Sequence, residues 1–325
     1  MRRAFYLVLF VLFLVTPSFA QRVYHIEVLQ VGNTDTYTNA YEGLVDGLAR
    51  QGLVKGYNLT IGRTVLDRGQ DPSFWDRITF DMKMSAAVTE VVAGKPDLVV
   101  TLGTQATEAF RDTIREAGIP QVFSAACPSQ ENPGKETTGV VIRPQPSDLI
   151  KTTLLALPDI DRIGVIRTGN PEAQAFTADL TREGKKHGIT VIEKEVGSLG
   201  SPGSLVKDML VQGVDAFIIP TDSAYEADNW KASRELIAET TLNRVPCISA
   251  LLNTSKGSLI TLAPDFGTIG NTAAKQISEI LTQGKKPSEL AVVTYTEQNF
   301  VVDLNTSRRL GISFRSRSNS LFGMK

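Results

Sequence analysis

The sequence predicts an α/β fold of two doubly wound parallel-sheet lobes joined by a hinge of about three crossovers. Three observations predict it. Short apolar runs alternate with longer helical patterns along the chain, the same alternation is stated twice, and 325 residues at 42% hydrophobic content are enough for two domains that each bury a core.

In order, the strand candidates are 24–31 (YHIEVLQV), 58–66, 97–103, 120–126, 138–142, 162–168, 190–196, 215–220, 246–251, 259–263 and 291–296. Between them lie helical patterns near 37–51, 76–93, 104–117, 147–157, 171–187, 203–212, 224–242 and 266–283. Strands that are apolar throughout belong in a parallel sheet covered on both faces by helices.

The duplication is of long period. HIEVLQVGN in the first half matches RIGVIRTGN in the second, so Gly32-Asn33 and Gly169-Asn170 occupy the same place. PDLVVTLGTQATEAF followed by GIPQVFSA matches VDAFIIPTDSAYEAD followed by RVPCISA, which aligns Asp97 with Asp215 and Thr104 with Asp222. Two matches in the same order mark two copies of one α/β unit. Ligands of open parallel sheets sit beyond the carboxyl ends of the strands. The repeat therefore predicts a cleft lined by loops 31–38, 101–106 and 124–131 from one lobe and by 167–174, 220–226 and 250–256 from the other.

The expected organisation is a leader over 1–20, a first lobe from 21–142 plus 265–290, a second from 143–264 plus 291–314, and a disordered tail over 315–325. Crossovers are expected near Val141–Arg143, Leu262–Asp265 and Leu290–Val293. Several short crossovers restrict the lobes to opening and closing about one axis. The leader MRRAFYLVLFVLFLVTPSFA carries two arginines, an apolar run from Ala4 to Val15 and small residues before Gln21, the pattern of a cleaved signal peptide, with an uncleaved amino-terminal anchor as the alternative. Its apolar run is shorter than the roughly 20 residues of a membrane span. Gln21 in place of a cysteine excludes an acylated lipoprotein, so the mature chain is expected free in a bacterial periplasm.

Thirty-four Lys and Arg against 35 Asp and Glu give no electrostatic reason to expect nucleic acid. Cys127 and Cys247 lie in different halves, where a bridge would lock a hinge, and are expected as free, mostly buried thiols. Two cysteines and two histidines without clustered spacing predict neither a metal site nor a cofactor. No Ser-His-Asp or Cys-His set gathers at the strand ends, which argues against an enzyme.

DLVVTLGTQAT, GIPQVFSA, the Gly169-Asn170-Pro171-Glu172 run, PTD and the C-terminal ILTQGKKP and LNTSRRLGI recur together in one order over residues 24–314. In this the chain resembles the tryptophan/tyrosine-type family of ABC transporter substrate-binding proteins. The resemblance implies the type I periplasmic-binding fold and a monomer. It also implies delivery of a small solute, often an aromatic amino acid, to an ABC permease in the inner membrane. The chain departs from the family at Cys127-Pro128, where an Asp-Pro is usual, and at Arg167-Thr168, where an apolar residue or Tyr is frequent.

Candidate ligand contacts follow from the cleft loops. Gly103 lets a ligand approach the backbone, and the first turn Thr104-Gln105 offers free N–H groups and a hydroxyl to a carboxylate. Ser124 ends the adjacent strand. Across the cleft, Asp222 is the expected partner of an ammonium, so that closure reads a zwitterion from both sides. The alternatives are helix caps, at Thr104 and at Asp222 alike. Asn33 and Asn170 are either contacts or turn residues. Tyr37 and Tyr225 are expected as aromatic walls, Phe123 as core, and Trp75 and Trp230 as packing residues. Arg167 either clamps a carboxylate or forms a salt bridge. Glu172 reads as a first-turn helix charge. A periplasmic sensing module that docks onto a receptor or histidine kinase is the alternative to transport.

Overall fold

A computed structural model describes residues 22–67, 74–127, 134, 136–143, 145–251 and 257–313. The expected leader and tail lie outside the described residues, as do 128–131 and 252–256 of two expected cleft loops. The first half runs β1 (Tyr24–Val31), α1 (Asp35–Arg50), β2 (Leu59–Leu66), α2 (Phe74–Ala93), β3 (Leu98–Leu102), α3 (Thr104–Glu116), β4 (Gln121–Ala126), β5 (Thr137–Ile142) and α4 (Pro146–Ala156). The second runs β6 (Arg162–Arg167), α5 (Pro171–Lys186), β7 (Thr190–Glu195), α6 (Gly203–Val211), β8 (Ala216–Ile219), α7 (Ala227–Leu242), β9 (Cys247–Ser249) and β10 (Ile260–Ala263). The chain closes with α8 (Phe266–Gln283), β11 (Val293–Tyr295), β12 (Asn299–Val302) and α9 (Leu304–Leu310).

Two six-stranded sheets result, ordered β11-β5-β4-β3-β1-β2 and β12-β10-β9-β8-β6-β7. All neighbours are parallel except β12, which runs antiparallel to β10. Five strands of one sheet correspond in order to five of the other, which is the duplication read from the sequence. The equivalence reaches single bonds. Asp97 accepts from the His25 N–H at the start of β1, and Asp215 accepts from the Asp161 and Arg162 N–H groups at the start of β6.

Helices cover both faces of each sheet, as apolar central strands require. In the first lobe, Leu44 and Leu48 of α1 and Ile269, Ala273 and Ile277 of α8 pack on Ile26, Val28, Val100 and Val122. On the other face Phe80 of α2 and Phe110 and Ile114 of α3 pack on Leu29 and Val99. The second lobe repeats this, with Leu149, Ile150 and Phe176 on one face and Val206, Met209 and Leu236 on the other. Each fully buried Leu, Ile or Phe contributes about 1.5–3 kcal/mol. Helices α1 and α8 meet backbone to backbone: a Cβ at Gly270 would lie 1.9 Å from the Ala40 carbonyl oxygen, and one at Gly43 2.0 Å from that of Gly267.

The lobes exchange elements. Helix α4 follows β5 of the first sheet yet packs in the second core, and α8 follows β10 of the second yet packs in the first. These are crossovers at 143–145 and 264–265. A third lies at 296–298, between β11 and β12. The sequence places 291–314 wholly in the second lobe, but Val293–Tyr295 pairs with Val140–Ile142 in the first sheet, so the last crossover falls after this strand. Strand β12 and helix α9 have no counterpart among the sequence-derived elements. β12 is four residues long at a half-exposed sheet edge, too short for a periodic signal. Trp75, expected to pack, is 72% exposed.

Candidate functional site

The carboxyl ends of the two sheets face each other across a cavity of about 320 Å³. The first lobe contributes Thr34, Thr36 and Tyr37 at the start of α1, Thr104 and Glu108 of α3, and Ala125, Ala126 and Cys127 at the end of β4. A register shift after Phe123 and a positive φ of 56° at Ala125 turn this last run into the cavity. The second lobe contributes Pro171, Glu172, Phe176 and Asp179 of α5, and Thr221, Ser223, Glu226, Ala250 and Leu251. The crossovers add Ile142, Gln145, Leu149, Pro264, Phe266 and Gln298.

The apolar part of this wall is Ile142, Leu149, Phe176, Leu251, Leu262 and Phe266, with the Tyr37 ring beside them. Tyr37 is positioned from two sides. The Thr34 hydroxyl caps α1 by accepting from the Tyr37 N–H at 3.3 Å, and the ring lies on Gly103, where a Cβ would sit 2.3 Å from the phenol oxygen. Gly103 itself has φ 85°, a conformation that favours glycine. Burial first, then the charges of Glu172 and Glu226, raise the Tyr37 hydroxyl well above its ordinary pKa.

Two carboxyl groups sit inside the closed cleft. Glu226, 8% exposed, accepts from the Thr36 N–H at 3.0 Å and the Thr36 hydroxyl at 2.7 Å, both from the opposite lobe. Desolvation raises its pKa to about 7, with the Thr36 hydrogen bonds opposing the shift. Glu172 lines the cavity and is solvent-accessible on its cavity side, with residues of both lobes around it. Burial is the main cause of its raised pKa, and a hydrogen bond with the Thr104 hydroxyl works the other way. Burial and then Glu172 also raise the pKa of the Cys127 thiol, which keeps it protonated rather than nucleophilic. Cys247 is buried, with its thiol pushed up to about 12, and both cysteines are free. Cys127 is exposed rather than buried, because it opens onto the cavity.

Of the sequence-derived contacts, Tyr37 and Thr104 line the cavity, and Gly103 lies directly beneath Tyr37. The others have different surroundings. Asp222 is fully buried, and its oxygens accept from the Thr168 N–H at 2.8 Å, the Thr168 hydroxyl and the Ala224 N–H at 3.1 Å, so it caps the short turn Ser223–Tyr225. Tyr225 is also fully buried and donates its hydroxyl to the Ile166 carbonyl, which makes it core rather than wall. Asn170 caps α5 by accepting from the Glu172 and Ala173 N–H groups, and donates to the Ser223 hydroxyl. Arg167 forms ion pairs with Glu193 and Glu195 of the neighbouring strand β7, the salt-bridge alternative. Ser124 is buried beside the cavity rather than on its wall, and Asn33 and Gln105 are exposed outside it.

The aromatic wall is Tyr37, as expected, joined by Phe176 and Phe266 in place of Tyr225. Glu226 was within reach of the sequence, since it follows Tyr225 in an expected cleft loop. Glu172 stands in the Asn-Pro-Glu run, where the first-turn reading competed with ligand contact. Among the described residues no group of three or more His, Cys, Asp or Glu is placed to hold a metal ion. Nor is any helix of theirs long and apolar enough to cross a membrane.

Two similar lobes hinged by three crossovers over an enclosed cavity are the architecture of type I periplasmic binding proteins. Residues 25–318 match the family described as ABC transporter substrate binding protein. The chain belongs to that family. It is a solute-binding protein of an ABC transporter, a binder and not an enzyme. No curated protein sequence is significantly similar to it. Among solved structures it is similar to an ABC domain in complex with L-Trp from Streptococcus pneumonia, at 20% identity and TM-score 0.77 over 93% of this chain and 99% of that one. A conserved domain protein from Vibrio cholerae matches at 20% identity and TM-score 0.77, covering 92% of this chain and 98% of that one. A ligand-free, open substrate binding protein with adhesive properties from Clostridium difficile matches at 19% identity and TM-score 0.68, over 91% and 98%.

Proposed function

We propose that this solute-binding protein works in the periplasm, closes its lobes on an amino acid or related amine with an apolar or aromatic body, and presents it to an inner-membrane permease. The observation that carries the reading is the enclosed cavity itself, walled by Phe176, Phe266, Leu149 and Tyr37 and holding the carboxyl groups of Glu172 and Glu226. Ligand pockets run from about 300 to 1,000 Å³. A cavity of about 320 Å³ suits a single ring-sized solute better than an oligosaccharide. A carboxylate enclosed in an apolar wall is relieved of its desolvation cost by a cation. The L-Trp in the pneumococcal structure, a distant relative, is a solute of this general class. The amino-terminal leader pattern supports export.

Mass spectrometry of what co-purifies with the unrefolded protein, followed by a thermal-shift panel, tests the reading. Apolar amino acids or amines are expected to raise the melting temperature, a ligand at 100 times its Kd adding about 2.7 kcal/mol. A shift with sugars or inorganic anions alone would sink it.

A further inference from the structure

We infer that the cleft prefers a cationic amine without a carboxylate over the corresponding α-amino acid. The inference rests on the reading of the cavity as an amine site and concerns which end of the solute is recognised. Glu108 from the first lobe and Glu172, Asp179 and Glu226 from the second all line the cavity. Among its described lining residues there is no Lys, Arg or His. The acids act on one region: Glu172, Glu108 and Asp179 all bear on the Cys127 thiol, and Glu108 and Asp222 both bear on Glu172. The basic residue that opposes them at Cys127 is Arg143, which is exposed at the first crossover and is not part of the cavity wall.

A zwitterion needs an anion site as well. The position best suited to one is Thr104, at the start of α3, and there the protein supplies its own carboxylate: Glu172 lines the cavity opposite, close enough for the Thr104 hydroxyl to lower its pKa, while the Thr104 oxygen accepts from the Cys127 N–H at 2.9 Å. A solute carboxylate there would stand beside Glu172 and share the cleft with the surrounding acids. Like charges in such a space repel strongly. An ammonium meets the opposite situation, with the Glu172 and Glu226 carboxyl groups lining the cavity from the second lobe.

Three indole compounds that share a ring and differ in charge test this on the unaltered mature protein, freed of co-purified solute by dialysis from mild denaturant. Calorimetric titration at pH 7 with tryptamine, L-tryptophan and indole-3-propionate is expected to give at least about tenfold tighter binding for tryptamine than for L-tryptophan, a difference of about 1.4 kcal/mol. No binding of indole-3-propionate is expected. Glu172→Gln should narrow the gap between amine and amino acid, because it removes the carboxylate that faces the anion position. L-Tryptophan binding as tightly as tryptamine, or tighter, overturns the preference and leaves the amine-binding cavity standing. Failure of all three to bind overturns the apolar-ring reading of the cavity, and the preference with it.

Discussion

The indole N–H of Trp230, in the second lobe, donates to the Asp35 carboxylate at the start of α1 in the first, 2.6 Å away. Together with the Thr36–Glu226 hydrogen bonds it adds a non-covalent clasp across the cleft to the three covalent crossovers. The reach has a local cost. Asp228, Asn229 and Trp230 hold φ angles of 51°, 52° and 62°, a left-handed run that ordinary residues adopt only when their surroundings impose it. Opening the cleft would break the indole bond and let this segment relax.

Trp230→Phe removes the donor and keeps most of the ring. Asp35 is exposed, so the bond is worth about 1 kcal/mol rather than the 1.5–3 kcal/mol of a sheltered charged pair. Solute affinity is expected to fall roughly fivefold, and small-angle scattering should show a larger radius of gyration for the solute-free variant. An unchanged radius together with unchanged affinity would show that the bond does not hold the lobes together.

Stability is expected to depend on pH through Glu226. Its pKa is about 7 in the folded chain against 4.5 for an ordinary glutamate. Between these values the folded state keeps a proton that the unfolded state has lost. The stabilisation is therefore complete below pH 4.5 and is lost as pH rises through 7. Glu172, shifted in the same direction by burial, adds to the effect. Urea melts of the solute-free protein should show a loss on the order of 2 kcal/mol between pH 5 and pH 7.5. Glu226→Gln should flatten that dependence. An ammonium solute bound beside an ionised Glu226 should release protons, seen as a calorimetric heat that varies with the ionisation enthalpy of the buffer.

Asp222→Asn is expected to act on stability rather than on recognition. Each Asp222 oxygen faces N–H or hydroxyl donors, so an amide group there opposes a donor to a donor. The expected loss is about 1–3 kcal/mol. Calorimetry should find solute affinity close to that of the parent. A large fall in affinity with unchanged melting would restore Asp222 as a ligand contact.

Gly270→Ala should be among the most damaging single methyl additions. The new carbon would meet the Ala40 carbonyl oxygen at 1.9 Å, and a backbone atom cannot swing away as a side chain can. Helices α1 and α8 would have to separate, at about 1–3 kcal/mol or more. Chemical denaturation of the variant measures this directly.

The fold was legible because its central strands are apolar on both faces and because the chain repeats itself. Asp97 and Asp215 align in sequence and make equivalent bonds in space. The chain exchange at the carboxyl end was harder to read, since three-residue β11 and four-residue β12 look alike in composition and join different sheets. At the site, the repeat located the loops but not the direction of each side chain. Asp222 and Tyr225 stand in a cleft loop and turn inward, one to Thr168 and the other to Ile166. Glu226, one residue further, faces the cavity. A change of direction between adjacent residues in a tight turn leaves no periodic trace.

Strands β11 and β12, a single ribbon from Val293 to Val302, seal the outer edge of one sheet and then of the other. The two halves therefore cannot be separated by cutting the chain once. A protease that nicks the ribbon, or a truncation before it, exposes unpaired backbone on both lobes together, and quality control in the cell would meet one damaged molecule rather than one intact half and one lost.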